Sequence, residues 1–104
     1  MEPGALHMDY IVLPVGYVYN ADIAKAKKGD TLRLGDGHSH EIFSVQKVPI
    51  NKPIADLLCR IRYGITLKGC LMRWKMNAKL EGHSQNAISD DECLLVTFLL
   101  DEQD

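Results

Sequence analysis

The sequence predicts a small α+β barrel, and three observations carry that expectation. Strand-like runs are few, and they alternate with turn signals in the order strand, short helix, hairpin, helix, helix, strand, which fits antiparallel neighbours better than a repeating β-α unit. The run "CLLVTFLL", residues 93–100, is apolar nearly throughout and is bounded by charge on both sides, the pattern of a central strand covered on both faces. In the middle of the chain, "PIADLLCRIRYG" places Ile54, Leu57, Leu58 and Ile61 at i, i+3, i+4 and i+7, the pattern of a helix with one apolar face.

Taken in order, residues 1–9 read as a loose arm. Residues 10–19, "YIVLPVGYVY", are aromatic and β-branched and suit a pleated surface. Pro14 and Gly16 interrupt them, so the expectation is one bent strand or two short ones. Asn20 is placed to cap a short helix from Ala21 to about Lys28, with Gly29 just past its end. "TLRLG", 31–35, alternates, and "EIFSVQKV", 41–48, resumes strand character with an irregularity between Ile42 and Val45. The Gly-Asp-Gly-His-Ser between them is hairpin-turn chemistry within 35–39, with Gly35 or Gly37 at positive φ. Pro49 ends that strand, and Pro53 opens the first long helix at a position where its missing N–H costs nothing. Gly64 stops that helix. A second helix, about Thr66 to Leu80, carries Leu67, Cys70, Leu71, Trp74 and Ala78 on one stripe, and Gly82 ends it. The expected core contains Leu57, Leu58, Ile61, Leu71, Trp74, Leu95, Val96 and Phe98.

The chain of 104 residues is expected to be one domain, 1–104, with 46% hydrophobic and 25% charged residues, ordinary for a globular protein. Its apolar runs fall well short of the ~20 residues a membrane helix needs. Met1-Glu2-Pro3-Gly4 has neither the basic flank nor the hydrophobic stretch of a signal peptide. Cys59, Cys70 and Cys93 are odd in number and lack C-x-x-C spacing, so they read as buried free thiols in a reducing, cytoplasmic compartment. Charge is unevenly spread. Residues 21–80 hold all twelve bases against five acids, a net of +7, and the rest of the chain has nine acids and no base. That asymmetry points to an anionic partner for the middle of the chain, or to acidic ends that fold back on it.

The stretches "KKGDTLRLGD", "EIFSVQKVPI", "LLCRIRYG", then Trp74, a polar loop and "DECLLVTF" together resemble the PUA-like superfamily, in particular its ASCH-type domains. The resemblance spans about residues 25–98. It implies a small PUA-like β-barrel with two to three helices packed on it, and a cleft between barrel and helices that takes RNA or a modified base or nucleoside. The "G-x-K-x-x-E-x-R"-like motif usual upstream in ASCH-type domains has no counterpart in "YNADIAKAKKGD", so no catalytic role is carried over.

The residues support the same order of readings. His38 and His40 could offer two imidazoles to a metal, but a site needs a third protein ligand and no local spacing supplies one, so neither metal nor cofactor is expected. A Cys–His nucleophile needs a thiolate, and Cys59 and Cys70 lie on apolar stripes while Cys93 follows Asp90-Asp91-Glu92, which would hold its proton on. No catalytic residue is assigned. Lys25, Lys27, Lys28 and Arg33, with Arg73, Lys75 and Lys79, are the candidates for phosphate contact. Trp74, Tyr63, His38 and His40 are the candidates for base stacking or a cleft lining, with core packing the competing reading of Trp74. The expected function is therefore a non-enzymatic RNA-binding module. The alternative is a small-ligand or protein-interaction domain, with a protein partner or self-association in place of nucleic acid.

Overall fold

The computed structural model describes residues 7–33 and 37–100. Four strands, β1 (Met8–Pro14), β2 (Thr31–Arg33), β3 (Ser39–Pro49) and β4 (Glu92–Leu99), and two helices, α1 (Pro53–Tyr63) and α2 (Leu67–Leu80), form an α+β fold. Single 3-10 turns occupy Val18–Asn20, Ile23–Lys25 and Gln85–Ala87. The strands make one antiparallel sheet in the order β1-β4-β3-β2. Among the described residues β1 and β2 do not pair, so the sheet curls as a half-barrel and stays open.

The curl has a local cause. Ile42 faces Phe98 and Ser44 faces Thr97, which leaves Phe43 as an extra residue in β3. A bulge of this kind bends its strand and sharpens the twist. It also resolves the sequence pattern, because Ile42 and Val45, three apart, would point to opposite sides of a regular strand. With the extra residue both join Leu94, Val96 and Phe98 in one apolar cluster. Residues 39–41 of β3 pair with β2, and Ile42 and the residues after the bulge pair with β4.

Strand β4 is covered on both sides, as its composition predicts. Cys93 and Leu95 point into a cluster with Val12, Val48 and the helical residues Ala55, Cys59, Leu67 and Cys70. Leu94, Val96 and Phe98 point the other way, beneath Leu32, Ile23 and Ala26 of the segment between β1 and β3. Fully burying a side chain of this size contributes about 1.5–3 kcal/mol, so β4 is the energetic centre of the fold.

Helix α1 ends at Gly64 in the left-handed conformation, with φ 75°. At the start of α2, Thr66 accepts a hydrogen bond from the Gly69 N–H at 3.1 Å. Asp56 joins the two helices: its Oδ1 accepts the Leu67 N–H at 2.8 Å and its Oδ2 accepts from Arg60 Nε at 2.7 Å. The backbone of β1 is tied inward at both ends, because the His7 and Val15 carbonyls accept from the Leu100 and Ser89 N–H groups. Residues 8, 10, 12 and 14 therefore turn their backbone groups outward. There Asp9 Oδ1 accepts the Tyr10 N–H at 2.8 Å, and Arg62 Nη1 donates to the Tyr10 carbonyl at 3.2 Å and to Asp9 Oδ2 at 3.3 Å.

Several expectations are corrected. The first strand starts at Met8, inside the expected arm, and stops at Pro14, because the chain turns at Gly16. There φ is 94°, and a Cβ would lie 2.0 Å from the Ala87 carbonyl oxygen, so only glycine lets the 15–20 turn pack against residues 87–88. The expected 21–28 helix is only the 3-10 turn Ile23–Lys25, and the Asn20 side chain donates to the Pro14 carbonyl at 3.4 Å rather than capping it. Gly37 has the expected positive φ, 84°, while Gly35 and the rest of 34–36 lie outside the described residues. Leu95, Val96 and Phe98 are buried, and Leu58, Leu71 and Trp74 partly so. Leu57 is 51% and Ile61 73% exposed, however, because α1 turns Ala55 and Cys59 toward the sheet instead.

Candidate interaction surface on the helical layer

The expected phosphate contacts form two groups. Lys25, Lys27, Lys28 and Arg33 ride on the segment that covers the second cluster, whereas Arg73, Lys75 and Lys79 lie on α2, which covers the first. The sheet stands between them. In the first group every side chain is exposed, and Lys28 Nζ lies 4.9 Å from the centre of the half-exposed Phe43 ring. Asp22, Asp30 and Glu41 share that surface, and Asp30 accepts the Lys27 N–H at 3.0 Å.

Helix α2 has no acidic residue at all, yet carries Lys68, Arg73, Lys75 and Lys79. Lys75 is paired with Asp90. Lys68, Arg73 and Lys79 form no ion pair among the described residues. Between these bases runs an apolar stripe, Met72, Met76 and Leu80, at 71%, 61% and 79% exposure. The stripe borders an open groove of about 670 Å³ whose lining also includes Lys75, Lys79 and Gln85. On α1, Ile54, Leu57 and Ile61 form a second exposed stripe, next to a small apolar hollow lined by Tyr10, Ile54, Leu58 and Leu95. Six large apolar side chains thus face solvent from one layer.

Where α2 ends, a ring cluster forms that sequence reasoning missed. The Tyr17 hydroxyl donates to Glu81, and this carboxylate, followed by burial, pushes the phenol up to about 12. Tyr19 meets Tyr17 at 5.5 Å and His83 edge-on at 5.6 Å between centroids. Tyr17 and Tyr19 each meet a partner 64 residues along the chain, Glu81 and His83, and "GYVY" carries a strand's composition, so no local signal pointed here.

The stacking candidates lie elsewhere. Trp74 and Tyr63 pack against the cores, and burial raises the Tyr63 phenol. His38 is exposed ahead of β3, while His40 is buried within it, opposite Leu32 and 5.2 Å from the Phe98 ring. The two histidines therefore differ in exposure, and only His40 is part of the sheet. All three cysteines are buried free thiols around the first cluster. Burial pushes Cys59 up to about 12, raises Cys70, and with Glu92 pushes Cys93 up to about 11, so they hold their protons at neutral pH. Among the described residues no group of three or more His, Cys, Asp or Glu side chains could hold a metal ion, and no helix is long and apolar enough to cross a membrane.

Compared with protein-family models, curated proteins and solved structures, the chain matches none. The functional reading rests on its own residues.

Proposed function

We propose that the chain is a non-catalytic protein-interaction module, a PUA-like domain of the cytoplasm that works through the outer face of its helical layer. The observation that carries this is the pair of exposed stripes, Ile54-Leu57-Ile61 and Met72-Met76-Leu80. Isolated exposed apolar residues are ordinary, but regular helical rows of them rimmed by polar groups mark surfaces that bind another protein. The half-barrel sheet with helices on one face is compatible with the PUA-like resemblance. The buried free thiols accord with a reducing compartment.

A photo-crosslinking side chain placed at Met76 or Ile61 in the full chain should give discrete protein adducts in cells, and the same group at Lys47 on β3 should give none. Equal adducts from all three positions, or none from the helices, would overturn the reading.

RNA binding is the second reading, favoured by Lys25, Lys27, Lys28 and Arg33 standing exposed together beside Phe43. It requires log affinity to fall linearly with log salt, by roughly 0.7 per phosphate neutralised on a single strand. Replacing Lys27, Lys28 and Arg33 by Ala should reduce that slope. Affinity without salt dependence, or a slope the triple variant leaves unchanged, would remove this reading.

A further inference from the structure

We infer that the outer face of α2 docks an acidic amphipathic helix of a partner protein, an assignment that rests on the helical layer being a protein-binding face. Met72, Met76 and Leu80 follow one another at i, i+4 and i+8, one per turn, along the exposed side of the helix. They lie along a groove rather than a ridge, bordered by Lys75, Lys79 and Gln85. Apolar positions one turn apart beside a groove are what a partner helix engages with anchors at i, i+3 or i+4, and i+7. Two of the three are methionines, whose unbranched, polarizable side chains repack around a partner's leucines or aromatics. A phosphate backbone gains nothing from an apolar stripe, since charge neutralisation and polar contacts hold it. A lipid surface is met by an apolar face that protrudes into it, whereas this one borders a hollow.

Charge selects the kind of helix. At about 100° per residue, Lys68, Lys75 and Lys79 fall on one flank of the stripe and Arg73 on the other. Lys68, Arg73 and Lys79 form no ion pair among the described residues, and no acid on α2 competes for them. A helix laid on the stripe is therefore met by cations on both sides. Glutamates or aspartates flanking its anchors complete those pairs as water leaves, while lysines there place like charges together in a partly dried rim.

The test uses the full chain and two fluorescent synthetic peptides of about 20 residues that share leucine anchors at helical spacing, one flanked by glutamates and the other by lysines. A 20-nucleotide oligouridine and phosphatidylserine vesicles serve as competitors. By anisotropy at low salt, the glutamate peptide should bind at least about tenfold more tightly than the lysine peptide. Met76→Glu, and separately the pair Arg73→Glu and Lys79→Glu, should each weaken it about tenfold, whereas Met76→Leu should keep it. These positions are exposed, and unchanged thermal midpoints would show that each variant folds. Equal or tighter binding of the lysine peptide overturns the inference and leaves the protein-binding reading standing. So does displacement by oligouridine or vesicles that Met76→Glu abolishes, which would identify those as the occupant. If neither peptide binds, the inference fails; if Met76 and Ile61 also yield no protein adducts, the reading beneath it fails too.

Discussion

Helices α1 and α2 pack side by side on one face of the sheet, but they meet it with different side chains. α2 lays down Leu67, Cys70 and Trp74, whereas α1 buries only Ala55 and Cys59 fully, packs Leu58 and Tyr63 at the edge of the same cluster, and turns Ile54, Leu57 and Ile61 to solvent. The difference shows that polar anchors can override an apolar stripe in setting a helix's rotation. Asp56 reaches the first N–H of α2, and Arg62 reaches β1 at Asp9 and Tyr10. Six residues apart, the two anchors lie about 120° apart around the helix, with Ala55 and Cys59 between them. Satisfying both anchors centres Ala55 and Cys59 on the sheet, where their size permits a close approach, with Leu58 and Tyr63 at the margins and Ile54, Leu57 and Ile61 outside.

Three measurements sharpen or break that comparison. The largest effect should separate the helices outright. Leu67→Ala on α2 should cost about 2–5 kcal/mol in urea unfolding, while Ile61→Ala on α1 should change stability by no more than about 0.5 kcal/mol. Comparable losses for the two would mean that Ile61 is core and the rotation of α1 is wrong. An intermediate effect is expected where α1 touches the sheet through Ala55, which is fully buried. There Ala55→Leu should cost about 1–3 kcal/mol by overpacking, and a neutral result would show that α1 does not sit close.

The smallest effect concerns the joint between the helices. The Leu67 N–H, and then the Arg60 guanidinium, hold the Asp56 carboxyl below its ordinary value. Its contribution to stability is therefore complete above the unfolded carboxylate pKa of about 3.9 and disappears as pH falls through the lower folded value. Wild type should be more stable than Asp56→Asn at neutral pH, and the gap should close in acid. A gap that stays constant down to the acid limb would show that the carboxylate charge plays no part in the joint.

Much of the fold was legible because its signals are local. The double-sided burial of β4 follows from "CLLVTFLL", the helix ends from Gly64 and Thr66, and the irregularity in β3 from the three-residue spacing of Ile42 and Val45. What was not legible depends on distant partners. The face α1 buries is set by Asp56 and Arg62 meeting groups 11 and 52 residues away. The turn after Pro14 depends on Ala87, and the ring cluster joins Tyr17 and Tyr19 to residues beyond α2. The basic candidates could be found by composition, but their division between two faces could not, because the sheet that separates them is assembled from both ends of the chain. The Met72-Met76-Leu80 stripe was visible in the sequence, yet it stood beside a stronger stripe on the same helix and only the packing shows which one turns outward.

The outward edge of β1 has a consequence for how copies of this protein behave when crowded. Tyr10 has both backbone groups engaged by Asp9 and Arg62, and Pro14 has no N–H to offer. Of the four outward positions, only Met8 and Val12 could join a ladder with an incoming strand. A cross-chain ladder needs every second residue in turn, and a break at Tyr10 and again at Pro14 prevents it from propagating. The β1 edge is thus interrupted by one salt bridge and one imino acid, so that a copy arriving along it finds two short stretches of backbone instead of one continuous template.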